Sequence, residues 1–236
     1  MTLRIKPYLD LCRISNLPTV WTNVLAAAVV SGAPFSWLTF LILSSSISLF
    51  YSGGMCLNDL FDVKIDQVHR PLRPIPARQI STEEAMFFTI GLFASALLLL
   101  LFVPYQRAVY AGLLLLGFII SYDRIHKRTP FSLFLMAACR LMVFVVSAMA
   151  VAGTVGRPVV VGGFAQFAYI LLLSVVARYE NRIKAKFSFP LIPVMLASIS
   201  LLDGVVMAFF ASPVWFVAGL FGAVLTHFGQ KYVRGD

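Results

Sequence analysis

Eight apolar runs follow one another along the chain, at about 17–30, 35–57, 85–103, 109–121, 131–152, 159–177, 189–209 and 214–228. A helix needs about 20 mostly apolar residues to cross the hydrocarbon core of a bilayer. Runs of this length, repeated over a chain of 236 residues that is 60% hydrophobic and only 12% charged, with a mean hydropathy of +0.89, exceed what one soluble core can bury. The expected fold is therefore all-α: a polytopic bundle of about eight transmembrane helices, forming one domain over residues 1–236 with the lipid bilayer as its solvent. The first and fourth runs are short and are expected to extend into their flanks.

The net charge of +9 raises the question of nucleic acid, but the cations lie in short clusters between apolar runs, the pattern of membrane loops. Nucleic acid is not an expected partner. The even-numbered gaps hold Lys64, Arg70, Arg73 and Arg78, then Arg124, Lys127 and Arg128, then Arg182, Lys184 and Lys186, while the odd-numbered gaps hold only Arg107 and Arg157. The tails are basic as well, with Arg4, Lys6 and Arg13 at one end and Lys231 and Arg234 at the other. Positive loops stay in the cytoplasm, so this distribution predicts an even number of spans with both termini cytoplasmic. The basic start of the chain also fits a cleaved signal peptide, but the many spans that follow make it read better as the approach to the first of them. Cys12, Cys56 and Cys139 have no spacing that suggests a disulfide framework or a zinc site.

The most specific stretch is Asn58-Asp59-Leu60-Phe61-Asp62-Val63-Lys64-Ile65-Asp66, followed by Arg70-Pro71-Leu72-Arg73-Pro74-Ile75-Pro76. If the second helix continues through it, Asp59 and Asp66 fall nearly in line two turns apart, with Asp62 about 60° to one side. Three carboxylates on one face near a low-dielectric interface repel one another unless cations offset them. Mg²⁺ is the natural counter-ion, because it takes carboxylate oxygens together with substrate phosphates. Arg70 and Arg73 add forks matched to phosphate oxygens. The bland alternative is a solvated loop with internal ion pairs, which leaves the one-face spacing unexplained.

These residues resemble the UbiA superfamily of intramembrane prenyltransferases. The likeness rests on NDxxDxxxD at Asn58, Asp59, Asp62 and Asp66 with the RPxRPIP stretch at Arg70 to Pro76, and on the tract from Tyr122 through Lys127 and Arg128, which is similar to the family's tyrosine and basic motif. The resemblance implies that Asp59, Asp62 and Asp66 bind Mg²⁺ and the prenyl diphosphate and carry catalysis. It implies substrate-binding roles for Asn58, Arg70, Arg73, Tyr122, Lys127 and Arg128, with Arg140, Arg178 and Glu180 added from polar positions in later spans. The reaction implied is transfer of a prenyl group from its diphosphate to a lipophilic, commonly aromatic, acceptor with release of pyrophosphate, at an active site on the cytoplasmic side. Arg13-Ile14-Ser15-Asn16, Cys139-Arg140 and Arg178-Tyr179-Glu180 resemble a divergent EboC-like branch.

The chain also departs from the family pattern. A second aspartate motif, expected at the end of the sixth span, is represented only by Glu180 among Arg178, Arg182 and Lys184; an i,i+4 pair of Glu180 with Lys184 is its plain structural reading. Family members commonly have nine spans, one more than counted here. Arg140 lies about nine residues into the fifth span, a costly place for a charge, and is read as a diphosphate or acceptor contact, with helix-to-helix bonding as the alternative. Asp203 falls in the seventh span, away from the cluster, and is assigned no role. Asn16 and Asn23 either face a cavity or join helices, and Tyr51, Tyr122 and Tyr179 lie near the expected site. Two rival functions remain: a weakly active or inactive relative that binds or moves an isoprenoid lipid, and a small transporter, which the clustering of acids at one helix end disfavours.

Overall fold

A computed structural model describes residues 5–126, 129, 131–183 and 191–232 of the chain. Among these residues it is all helical, with nine α-helices and no strand. A short α1 (Ile5–Leu11) precedes eight helices that take up the eight apolar runs: α2 (Leu17–Val30), α3 (Trp37–His69), α4 (Thr82–Leu99), α5 (Ala108–Ile125), α6 (Ser132–Ala152), α7 (Arg157–Ile183), α8 (Leu191–Phe210) and α9 (Phe216–Tyr232). Helices α3 to α8 are each long and apolar enough to cross a bilayer. The protein is an integral, multi-pass membrane protein. The expected lengthening holds for α5 but not for α2, which stays at 14 residues and gains only a 3₁₀ turn, Ile14–Asn16, at its start. Its path is capped there because Arg13 takes a left-handed backbone conformation, φ 47°, that breaks the helix between α1 and α2.

The bundle is built as lipid-solvated proteins are. Phe87, Tyr110, Phe209 and Phe221 are exposed, whereas buried polar residues such as Asn23, Gln166, Ser200 and Asp203 hold the interior. The two largest of its apolar clusters lie around Ile47, Phe50, Leu115 and Val146 between α2, α3, α4, α5 and α6, and around Ala27, Phe144 and Met207 between α2, α6, α7 and α8. Helix α9 packs on α8 through Gly204 and Gly219; a methyl at Gly219 would stand 2.5 Å from the Ser200 carbonyl oxygen.

The dimensions of α3 position everything that follows. Ser36 caps its start by accepting from the Thr39 amide. Its 33 residues, at about 1.5 Å each, exceed a hydrocarbon core of about 30 Å by several turns. The surplus is the segment that carries Asn58 to Asp66, so the acidic turns stand beyond the apolar slab while remaining part of one rigid rod. The chain then turns through the arginine- and proline-rich segment and restarts at α4 under a capping box, with Ser81 and Glu84 bonding reciprocally to each other's backbone. At the far end of the sequence, Gln230 donates to the Asn16 side chain, 3.2 Å, and Gly229 backs onto Ser15. The end of α9 and the segment before α2 therefore share the end of the bundle that carries the acidic turns.

Candidate active site

Asp59, Asp62 and Asp66 are 4%, 8% and 4% exposed. Carboxylates that buried need cations, and the structure supplies three, from three different segments. Arg73, folded back from the turn after α3, places Nη1 3.1 Å from Asp59 Oδ1 and 2.5 Å from Asp66 Oδ2. Arg13, from the break between α1 and α2, donates to the same Asp59 oxygen at 3.1 Å. His126, just past α5, places Nε2 3.1 Å from Asp62 Oδ1, and its Nδ1 lies 2.9 Å from the Asp123 carbonyl oxygen. The azimuths anticipated from helical spacing are the ones that divide the cluster: Asp59 and Asp66, in line, share one guanidinium, and Asp62, off to the side, meets another helix.

Electrostatics follow this pairing. Burial alone would lower the Arg13 pKa, but the Asp59 carboxylate beside it outweighs that and raises it, so Arg13 is a permanent cation. The hydrogen bond to Asp62 raises the His126 pKa, with burial opposing it. The imidazolium is thereby favoured against the neutral ring.

Two cavities meet at this end of the bundle. A polar mouth of about 890 Å³ is bordered by Lys6, Arg13, Asp59, Arg70 and Arg73. A narrower, largely apolar cavity of about 250 Å³ runs inward, bordered by residues such as Asn58, Ile119, Tyr122, Asp123 and Val143. Arg13 borders both. Arg70 is exposed and reaches the mouth, and Tyr122 is half-buried on the inner wall, its ring 5.4 Å from that of His126.

Other expected residues are placed elsewhere. Arg140 borders the inner cavity, but its guanidinium is spent on α2, donating to the Thr19 carbonyl oxygen (3.2 Å), the Thr19 hydroxyl (2.9 Å) and Asn23 Oδ1 (2.6 Å). Arg140 thus joins α6 to α2 while bordering the cavity, because a charge in an apolar slab takes the nearest oxygen atoms. Arg178 is exposed and Glu180 half-buried toward the end of α7, and neither borders the two cavities. The structure does not bring that pair to the carboxylates. Tyr179 is exposed as well. Lys127, Arg128 and Lys184 lie outside the described residues.

Four residues of consequence were not assigned to the site from sequence. Arg13 and His126 supply cations, and their signal was their place at the membrane edge in otherwise polar tracts. Asp123 is 3% exposed and accepts from Asn58 Nδ2 at 3.1 Å, while its second oxygen, Oδ2, meets no donor among the described residues. Asp203 is fully buried and accepts from Thr22 (2.7 Å), Asn23 Nδ2 (2.6 Å) and Gln166 (2.7 Å), so Asn23 bridges Arg140 and Asp203 with the two ends of its amide. A carboxyl group in an apolar run signalled a partner; only the packing of α2, α7 and α8 shows which.

As a donor set for a cation, the α3 carboxylates are hard oxygen ligands of the kind Mg²⁺ prefers. Among the described residues no three acidic, histidine or cysteine side chains converge as a ready-made metal cage; Asp59 and Asp66 share Arg73, while Asp62 meets His126. The chemistry of the set fits Mg²⁺; accommodating it requires those two cations to yield.

A bundle of long apolar helices with buried carboxylates and basic side chains at one end, beside an apolar cavity, is the architecture of an intramembrane protein with a charged site at the edge of its apolar interior. The profile of the UbiA prenyltransferase family matches residues 17–233, and the chain belongs to that family. Digeranylgeranylglyceryl phosphate synthase of Methanococcus aeolicus is 34% identical over 104 residues, 43% of this chain and 37% of the relative. The enzyme of the same name from Saccharolobus solfataricus is 31% identical over 130 residues, 55% of this chain and 46% of the relative. In both, the match spans less than half of the relative's length. The Natronomonas pharaonis enzyme of that name aligns over 94% of this chain and 81% of its own length at 27% identity. Among solved structures, a UbiA homolog from Archaeoglobus fulgidus bound to DMAPP and Mg²⁺ shares the fold with a TM-score of 0.63 at 17% identity, covering 95% of this chain and 85% of that one.

Proposed function

We propose that this protein is a Mg²⁺-dependent intramembrane prenyltransferase that moves a prenyl group from its diphosphate to a hydroxyl-bearing lipid acceptor, releasing pyrophosphate on the cytoplasmic side. The observation that carries the reading is the pairing of three buried α3 carboxylates with Arg13, Arg73 and His126 beside a basic mouth and an apolar cavity that share Arg13 as a border. A diphosphate with an apolar chain has the same polarity profile. The single domain over residues 1–236 and the cytoplasmic placement of both termini belong to this reading, supported by the basic gaps and by the meeting of α9 with the N-terminal segment.

In this scheme Asp59, Asp62 and Asp66 hold Mg²⁺, and Asn58, Arg70, Arg73, Tyr122, Lys127 and Arg128 bind the diphosphate or the first carbons of the chain. When bound, Mg²⁺ supplies positive charge to the departing diphosphate, where negative charge develops. Arg73 and Arg13 lie within reach of the same region and exchange carboxylate for phosphate oxygens, both good partners for a guanidinium. The apolar cavity excludes water from the allylic cation, and the face of Tyr122 is placed to stabilise it. A hydroxyl acceptor is preferred to an aromatic ring because the relatives are named for a glyceryl phosphate product, and donors as small as DMAPP and GPP are bound by the Archaeoglobus fulgidus homolog.

A second reading, a relative that binds or moves an isoprenoid lipid without turnover, draws on the pairing of every α3 carboxylate with a protein cation and on the distance of Glu180 from the cavities. One experiment separates the two. Purified protein is given Mg²⁺ and a panel of prenyl diphosphates and acceptors beside Asp62→Ala, and pyrophosphate release is followed. Release that needs Mg²⁺ and Asp62 supports the transferase; saturable binding of prenyl diphosphate with no release supports the carrier.

A further inference from the structure

Asp123 is the one acidic residue in the described lining of the apolar cavity, which none of the three α3 carboxylates borders. Each of those three is held by a protein cation. Asp123 has none within salt-bridge distance among the described residues. Its Oδ1 accepts from the Asn58 amide at 3.1 Å, which orients the carboxyl group, and its backbone carbonyl meets His126 Nδ1 at 2.9 Å. Its Oδ2 is buried with no donor among the described residues. A buried carboxylate oxygen without a donor is costly in the resting protein, and its presence on a cavity wall calls for a donor that arrives with a ligand.

We infer that Asp123 is a catalytic base, taking the proton of a hydroxyl acceptor as that oxygen captures the prenyl cation. This rests on the transferase reading above and deepens it by fixing the acceptor's nucleophile as an O–H group. In the step, the bond between C1 of the prenyl group and the diphosphate oxygen breaks and its electron pair leaves with pyrophosphate. A lone pair of the acceptor oxygen forms the new C–O bond to C1, and the O–H proton passes to Asp123 Oδ2. In a largely apolar cavity, the Asp123 carboxylate is the one acidic group in the described lining to which that proton can pass. The α3 carboxylates are unsuited to it, since each is already paired with a protein cation and none borders this cavity.

The test uses the full-length protein in detergent with Mg²⁺, geranylgeranyl diphosphate, and a glyceryl phosphate carrying one geranylgeranyl ether and one free hydroxyl. Wild type, Asp123→Asn and Asp123→Glu are compared for ether product, for pyrophosphate released per ether formed, and for the Kd of a non-reactive thiolodiphosphate analogue. The expected result for Asp123→Asn is loss of ether formation by roughly 100-fold or more, a rise in pyrophosphate released per ether, and a Kd within about 3-fold of wild type, whereas Asp123→Glu, which keeps the carboxylate, recovers part of the rate. Ether formation by Asp123→Asn at near the wild-type rate would overturn the assignment. So would loss of analogue binding in Asp123→Asn, which would move the residue to the diphosphate site, and so would absence of a difference between Asn and Glu. Transfer by the wild type to a ring carbon of 4-hydroxybenzoate but not to the hydroxyl lipid would overturn the acceptor class alone, and no turnover of any donor would overturn the transferase reading itself.

Discussion

Arg73 Nη1 lies 2.5 Å from Asp66 Oδ2, a contact between a turn and the helix that precedes it by only seven residues. The same nitrogen reaches Asp59 at 3.1 Å, so one guanidinium neutralises two carboxylates a helical repeat apart. Removing it leaves Asp66 buried without its cation and Asp59 with Arg13 alone. Arg73→Ala is expected to cost about 3 kcal/mol in Mg²⁺-free detergent solution, and Mg²⁺ is expected to restore more stability to the variant than it adds to the wild type. Thermal unfolding with and without Mg²⁺ checks this, and an equal Mg²⁺ response in both proteins would deny that metal and arginine share the carboxylates.

The His126 to Asp62 bond joins α5 to α3 and depends on pH. The His126 pKa is raised in the folded protein, so its contribution is full below about pH 6.5, the ordinary imidazole value, and is lost as pH rises through the raised one. In the absence of Mg²⁺, the melting temperature of His126→Ala is expected to fall furthest below wild type at acidic pH and to converge with it at alkaline pH. A difference independent of pH would mean that a neutral ring makes the bond.

Asn23 relays between Arg140 and Asp203 inside the bundle, and the two charges are coupled through it. Asp203→Leu and Arg140→Met are each expected to destabilise, because each strands a buried partner, and the double variant is expected to be less damaged than the sum. A coupling energy of about 1 kcal/mol is the scale seen for polar contacts within membranes. Additive losses, measured by a double-mutant cycle in detergent, would show that the two ends of the network act independently.

Gly219 and Gly117 form a matched pair for helix packing. A methyl at Gly219 meets the Ser200 carbonyl oxygen at 2.5 Å and Gly204 Cα at 2.6 Å, whereas one at Gly117 meets nothing within 4 Å. Gly219→Ala is expected to cost about 1–3 kcal/mol by forcing α9 away from α8, and Gly117→Ala is expected to be neutral or to stabilise by up to about 1 kcal/mol through helix propensity. Thermal unfolding of the two variants side by side tests both.

Much of this was written in the order of residues. Eight apolar runs required eight helices, because backbone polar groups in lipid have only each other to bond. The spacing of Asp59, Asp62 and Asp66 set which carboxylates align, since helical periodicity is local. The basic gaps placed both ends of the chain with the acidic turns, and Gln230 on Asn16 joins those ends. The charges inside the spans were legible only as anomalies: Arg140 read as a substrate contact and Asp203 as idle, yet both serve the packing of α2 against its neighbours.

What the sequence by itself determined is the set of properties that depend on short range: the apolar helices, the face of α3 that carries acid, and the family motif. The tertiary structure alone decided which cation meets which carboxylate. It also decided that Arg13 borders both mouth and cavity, and that Asp123 on the inner wall has one buried oxygen without a donor among the described residues. Two of these pairings, Arg13 to Asp59 and Asp62 to His126, join residues 46 and 64 positions apart. Electrostatic preference names the type of partner for a buried charge, but only the packing of whole helices brings one particular partner within 3 Å or so of it.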